Sequence, residues 1–196
     1  FQRAGKLKAE DKMTNDVQTL IPRQPVPDLT LPTLHEGNWS LMNEAPETFS
    51  IVVFYRGWHC PVCRRQLTEI EGLVDAFAEK GALITAVSVD SKDRAQQMFD
   101  EAGLDKLNMV YGLSLEQARQ WGLFISTSRG LTSVGVEEPF KFAEPGMFFV
   151  RPDNTLFYSS VQSAPWGRPK LEEFLSTIDF VLENNYPARG EIVSLD

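Results

Sequence analysis

The stretch Ser50-Ile51-Val52-Val53-Phe54-Tyr55-Arg56-Gly57-Trp58-His59-Cys60-Pro61-Val62-Cys63-Arg64 decides the fold. Its first half is a continuous apolar, β-branched run, the pattern of a strand buried on both faces. Gly57 stops that run. Pro61 stands where a proline suits the first turn of a helix, and beyond it Leu67, Ile70, Leu73, Val74 and Phe77 recur at helical spacing. Lys80-Gly81 brings a cation and a glycine to the far end, so the spacing predicts one helix of about five turns.

Outward from this centre, Ala82 to Val89 reads as a second buried strand, which completes a strand–helix–strand unit with an expected right-handed crossover. Ser91 is placed to cap a following helix with Ala95, Met98, Phe99 and Ala102 on its apolar side. A short strand at Met109-Val110-Tyr111 and a helix over 115–121 come next. The glycine- and serine-containing segment 126–143 reads as a loop or excursion. Met147-Phe148-Phe149-Val150 and Thr155-Leu156-Phe157-Tyr158-Ser159 flank the turn residues Arg151-Pro152-Asp153-Asn154 and predict an antiparallel hairpin. The last helix has Pro169 near its first turn and Leu171, Phe174, Leu175, Ile178, Val181 and Leu182 as its stripe. On the other side of the centre, Leu29-Thr30-Leu31 and Trp39-Ser40-Leu41 flank Glu36-Gly37-Asn38 as a second short hairpin. This order of elements makes an α/β fold, a mixed central sheet with helices on both faces.

The 196 residues suit a single domain, expected over 13–196, with Met13 a candidate initiator. Residues 1–12 are set apart as an arm or an engineered start. With 27 acidic against 19 basic residues the net charge is −8, which opposes attraction to nucleic-acid phosphates and anionic membrane surfaces. No apolar run approaches the roughly 20 residues needed to cross a bilayer and the first residues lack an apolar signal-peptide centre, so a cytoplasmic protein is expected. Neither a G-x-G-x-x-G nor a G-x-x-x-x-G-K-[ST] pattern occurs, and no cofactor is expected.

Only two cysteines occur, Cys60 and Cys63, too few and too close for a disulfide-stapled secreted domain. Cys60 falls where a buried strand hands over to a helix, where free N–H groups and the positive dipole end favour a thiolate. Arg56, Arg64 and Arg65 push the same way. Cys63 lies one helical turn on, on the same face, and is placed to resolve a sulfur adduct as an internal disulfide. Two other readings stand beside this redox pair, either of which would make the chain a non-enzymatic interaction module: two small core residues, or half of a zinc site with His59 and His35, for which a second cysteine pair is missing. His59 is a candidate to tune Cys60 or relay protons. Trp58 reads as a wall of the site, His35 as an exposed turn residue, Glu69 and Glu71 as solvated, and Asp90 as a turn acid at a strand end.

Phe54-Tyr55-Arg56-Gly57-Trp58-His59-Cys60-Pro61-Val62-Cys63 resembles the Y-R-G-x-x-C-P-x-C signature of peroxiredoxin-like proteins in the alkyl hydroperoxide reductase/thiol-specific antioxidant group. Pro27 to Pro32 is similar to the opening strand of that family, Val87 to Ser91 to its second core strand and turn, and Pro145 to Val161 to its closing hairpin. The resemblance covers most of residues 22–185. It implies a thioredoxin-like fold with a peroxiredoxin-type N-terminal hairpin and insertions, and an antioxidant thiol oxidoreductase that reduces hydroperoxides or exchanges disulfides. Cys60, followed by Pro61, matches the attacking cysteine, and Cys63 the second cysteine of the two-cysteine variant. The implied partners are a hydroperoxide or disulfide substrate, a thiol reductant such as a thioredoxin-like or glutathione system, and a second copy in a homodimer.

Two positions depart from the family. Gly57 stands where a Thr or Ser three residues before the attacking cysteine holds the peroxide, and Pro145 stands where an Arg precedes the penultimate strand. Pro145 is similar instead to the cis-proline beside the cysteine pair of thioredoxin-type oxidoreductases, so a cis Glu144–Pro145 bond is expected. Arg56 and Arg168 are the two candidates for the missing cation, although the plainer reading of each is a solvated arginine or a helix-end contact.

Overall fold

The computed structural model describes residues 19–35 and 37–195, so the expectations for residues 1–12 and Met13 lie outside the described residues. At its centre is strand β3 (Phe49–Phe54), the quoted apolar run, and every one of its residues is buried. The N-terminal hairpin of β1 (Thr30–Pro32) and β2 (Asn38–Ser40) precedes it. After β3 come helices α1 (Pro61–Glu71) and α2 (Val74–Ala78), strand β4 (Ala82–Val87), helix α3 (Lys92–Ala102), strand β5 (Asn108–Val110) and helix α4 (Leu115–Gln120). Strands β6 (Ile125–Thr127), β7 (Lys141–Ala143), β8 (Gly146–Val150) and β9 (Leu156–Val161) follow, and a 3₁₀ turn at Leu171–Phe174 leads into α5 (Leu175–Glu183).

The main sheet has the order β5-β4-β3-β8-β9, parallel among β5, β4 and β3 and antiparallel from β3 to β8 to β9. Alternation along β3 divides the core. Ile51 and Val53 face α1, α2, α3 and α5 through Leu67, Ile70, Phe77, Met98 and Ile178. Val52 and Phe54 face α4 and the N-terminal hairpin through Ala118, Trp121, Leu29 and Leu31. Helices therefore cover both faces, as the strand pattern predicts.

Four expectations are corrected. The helix after Pro61 is two helices, because at Gly72-Leu73 the i−4 ladder gives way to an i−3 bond from Leu73 N–H to Ile70 O (2.8 Å); the chain turns there and still delivers Phe77 to the core. The segment 126–143 holds regular structure, since β6 and β7 pair as a small antiparallel sheet. Ser91 sits at the N-cap of α3 without a side-chain capping bond, whereas Ser114 and Gln117 form a reciprocal capping box on α4. The Glu144–Pro145 bond is trans, as are all peptide bonds among the described residues. Pro145 accepts a bond at its carbonyl from Gln162 N–H and serves as the bend between β7 and β8.

The register fixes where the chemistry collects. Phe54 at the end of β3 lies beside Val87 at the end of β4 and beside Gly146 at the start of β8, which in turn pairs with Val161 at the end of β9. The segments 55–60, 88–91, 142–145 and 162–168 therefore leave the sheet at one edge. Carboxyl ends of parallel strands are the usual place for a site in such sheets.

Candidate active site

Cys60 is the N-cap of α1, in extended conformation, with Pro61 as the first helical residue. Its Sγ accepts the Cys63 backbone N–H at 3.4 Å, and the Cys63 Sγ accepts the Arg56 backbone N–H at 3.3 Å. Both cysteines are unbridged and buried, at 1% and 0% exposure. Two guanidinium groups reach the sulfurs. Arg56 Nη1 lies 3.8 Å from Cys60 Sγ, and Arg168 Nη2 lies 3.1 Å from Cys63 Sγ and 3.9 Å from Cys60 Sγ.

These contacts separate the two thiols. The hydrogen bond from the Cys63 thiol, then the Cys63 N–H, Arg168 and Arg56, outweigh burial and pull the Cys60 thiol down to about 5. Burial and the bond donated to Cys60 push the Cys63 thiol up. Cys60 is thus a thiolate at neutral pH and Cys63 a thiol, in the order expected from their places on the helix. The two thiols do not differ in exposure, both being fully buried.

Each cation is held differently. Arg56 continues β3 and lies over the Phe142 ring, 4.6 Å from its centroid. Its Nε is 3.2 Å from Glu144 Oε2, an ion pair without hydrogen-bond alignment, and its Nη2 is 3.6 Å from Glu138 Oε1. Burial works against its charge, and Glu144 together with the two cysteine sulfurs more than restores it. Glu144 is itself buried and accepts the Ser126 hydroxyl at 2.6 Å. Arg168, in the loop after β9, donates to Pro165 O (2.7 Å) and Gln66 Oε1 (2.5 Å), and no carboxylate among the described residues pairs with it. The reading of both arginines as plain solvated residues is therefore corrected.

Gly57 has φ +133°, and a Cβ there would sit 2.8 and 3.0 Å from the Asp90 carboxylate oxygens and 3.0 Å from His59 Nδ1. No Thr or Ser side chain fits in its place. Asp90 stands just past the end of β4, as its reading as a turn acid expects, and is buried; it accepts the Trp58 N–H at 2.7 Å and Arg94 Nε at 3.2 Å, and burial raises its carboxyl. Trp58 is half-buried, with Arg94 5.3 Å from its ring centroid. His59 is buried against Phe142 with neither ring nitrogen hydrogen-bonded. Burial, then Arg56 and Arg94, lowers it to about 3, so it is neutral and makes no bond to Cys60. Glu71 is also corrected: it accepts the Lys106 and Leu107 N–H groups (2.9 and 3.0 Å) and ties α1 to the start of β5. His35 is exposed and packs edge-on against Phe99, whereas His59 packs on Phe142, and among the described residues no group of three or more His, Cys, Asp or Glu is placed to hold a metal ion.

Sequence reasoning missed Arg94, Glu138 and Glu144 and gave Asp90 no place in the site. For Asp90 a signal existed: it follows the end of a strand predicted to run parallel to the one that ends at Arg56.

A low-pKa thiolate one helical turn before a second thiol, at the carboxyl edge of a mixed sheet, defines a thiol-dependent oxidoreductase on a thioredoxin-like scaffold. The model of the AhpC/TSA family matches residues 22–159, and the chain belongs to that family of peroxiredoxin-like thiol oxidoreductases. Among solved structures, peroxidoxin BcpB from Mycobacterium tuberculosis superimposes with a TM-score of 0.65 at 18% identity, covering 83% of this chain and 99% of that one. Mycobacterium tuberculosis AhpC gives 0.65 at 20% identity over 86% and 96% of the two chains. The mitochondrial 2-Cys peroxiredoxin from Plasmodium falciparum gives 0.64 at 18% identity over 89% and 100%. No curated protein matches the chain. No described helix is long and apolar enough to cross a membrane.

Proposed function

We propose that the chain reduces hydroperoxides with Cys60 as the attacking thiolate and Cys63 as the resolving thiol. The observation that carries this reading is the pair of arginine contacts on the sulfurs of two cysteines, the first of which already accepts the backbone N–H of the second at a helix N-terminus. In the first step the Cys60 thiolate attacks the terminal peroxide oxygen, the O–O bond breaks, and alcohol or water leaves with a proton, so that Cys60 becomes a sulfenic acid. Arg56 and Arg168 stand where negative charge develops on the departing oxygen, in place of the hydroxyl that Gly57 lacks. In the second step the Cys63 sulfur attacks Cys60 Sγ, water leaves, and the Cys60–Cys63 disulfide closes. A thiol reductant then restores both thiols.

Thiol–disulfide exchange with proteins uses the same two sulfurs, but the trans Pro145 removes the feature that favoured it. Rapid mixing of the reduced protein with hydrogen peroxide, cumene hydroperoxide and a model disulfide, monitored by tryptophan fluorescence, tests the assignment. The expected order of rates is hydroperoxide above disulfide, with no reaction in Cys60→Ser; a disulfide reacting fastest overturns it.

A further inference from the structure

Arg168 reaches the sulfurs from a segment that does little to hold it there. Among the described residues, 163–169 make no hydrogen bond to the rest of the fold except through the Arg168 side chain. Trp166, two residues before it, is 70% exposed. The backbone of this strap therefore leaves the guanidinium to be aimed by its own contacts.

A guanidinium is a rigid planar fork, so fixing two of its nitrogens fixes the direction of the third. Arg168 Nε donates to Pro165 O at 2.7 Å, a bond inside the strap itself. Nη1 donates to Gln66 Oε1 at 2.5 Å, which leaves Nη2 facing Cys63 Sγ at 3.1 Å and Cys60 Sγ at 3.9 Å. Gln66 is a half-buried residue of α1, one helical turn beyond Cys63, so the same rigid element carries it and the sulfurs. Among the described residues, the Gln66 bond alone ties this guanidinium to the scaffold without involving a sulfur. It holds whatever the oxidation state of the cysteines.

The acceptor is also uncharged. Arg56, on the other flank, is paired with Glu144 at 3.2 Å and Glu138 at 3.6 Å. Arg168 pairs with no carboxylate among the described residues, although Glu69 and Glu172 line the groove that it shares with Gln66. A carboxylate at position 66 would grip the guanidinium as well as the amide does, and would neutralise it. A carboxamide oxygen accepts one N–H and leaves the positive charge to the Cys60 thiolate and to the oxygen departing from the peroxide.

Resting on the two-arginine reading of the peroxide step, we propose that Gln66 is a positioning residue whose neutral carboxamide aims the Arg168 guanidinium at the two sulfurs without taking its charge. Four variants test this: Gln66→Leu, Gln66→Glu, Arg168→Ala and Gln66→Leu/Arg168→Ala. Each reduced protein is alkylated with iodoacetamide across pH, and the second-order rate of its oxidation by hydrogen peroxide is measured at about pH 8, well above the Cys60 midpoint. Gln66→Leu keeps a good helix former of similar size and should be oxidised about tenfold more slowly, short of the loss of about 100-fold expected when the guanidinium itself is removed. Gln66→Glu keeps the acceptor oxygen, so denaturant titration should show the fold unweakened, yet its oxidation should slow and its alkylation midpoint should rise further than that of Gln66→Leu. The double variant should be oxidised no more slowly than Arg168→Ala, because Gln66 acts through that residue. Unchanged rate and midpoint in Gln66→Leu, unchanged rate and midpoint in Gln66→Glu, or a further loss of about tenfold in the double variant each overturns the positioning role and leaves the two-arginine reading standing. Unchanged rate and midpoint in Arg168→Ala overturn that reading, and the role of Gln66 with it.

Discussion

The two flanks of the sulfur pair carry the same functional group in opposite settings. Arg56 belongs to the end of a central strand, packs on Phe142 and is matched by a buried carboxylate, so its position follows from the core. Arg168 belongs to a loop, bonds to a carbonyl and an amide side chain, and looks to the sulfurs for its anion. The contrast separates a cation that the fold needs from one that the proposed chemistry needs. Removing the first leaves the buried Glu144 carboxylate unpaired; removing the second leaves the Cys60 thiolate with Arg56 still beside it.

That contrast breaks most readily at Arg56. Arg56→Ala should lower the unfolding free energy by about 3 kcal/mol, because Glu144 is left buried and unpaired, whereas Arg168→Ala should cost about 1 kcal/mol for its hydrogen bonds. Denaturant titration measures both, and Arg56→Ala/Glu144→Gln should recover most of the larger loss. Equal losses at the two arginines would erase the distinction. In peroxide kinetics the order turns: Arg168→Ala should slow oxidation of Cys60 by about 100-fold, the usual size for one donor to a developing charge, while keeping the fold.

The pH dependence sharpens the same point. Alkylation of the reduced protein by iodoacetamide should rise with pH through a midpoint near 5 and then level off, since Cys60 is the thiolate and Cys63 stays protonated. Loss of either arginine removes positive charge from the thiolate and moves the midpoint up, with Arg168→Ala the larger shift. The sign for stability follows: a lowered acid group stabilises the fold in its ionised form, so the reduced protein gains stability from about pH 5 up to the range of an ordinary thiol and loses it as pH falls through 5. The smallest effect belongs to Glu138→Gln. Its ion pair with Arg56 is long, at 3.6 Å, and Glu144 holds the same guanidinium, so unfolding should shift by less than about 1 kcal/mol.

Local signals in the sequence carried the scaffold. The unbroken run into Tyr55, the two hairpins with their turn residues, and the cysteine pair at a strand-to-helix junction are each set by neighbours within a few positions. The helix break at Gly72-Leu73 was hidden because Ile70, Leu73, Val74 and Phe77 keep helical spacing straight through it. The electrostatics of the site were hidden for a different reason. Arg168 lies 105 residues from Cys63 in sequence, and Glu144 and Asp90 reach Arg56 and Trp58 only through sheet register, so no spacing rule joins them. Gly57 was legible as a departure from the family but not its cause, the Asp90 carboxylate lying in the space a side chain would need.

Because Cys60 caps α1 and is also the proposed attacking thiolate, the first turn of that helix has its acceptor in the atom assigned the redox chemistry. A thiolate accepts the Cys63 amide hydrogen strongly; a disulfide sulfur, uncharged and committed to a bond, accepts it poorly. Exchange of that single amide with deuterated water should therefore be slow in reduced protein and faster in oxidised protein, by a factor of about 5 for a cap worth about 1 kcal/mol. The helix terminus would then act as a built-in isotope reporter of the oxidation state of the protein.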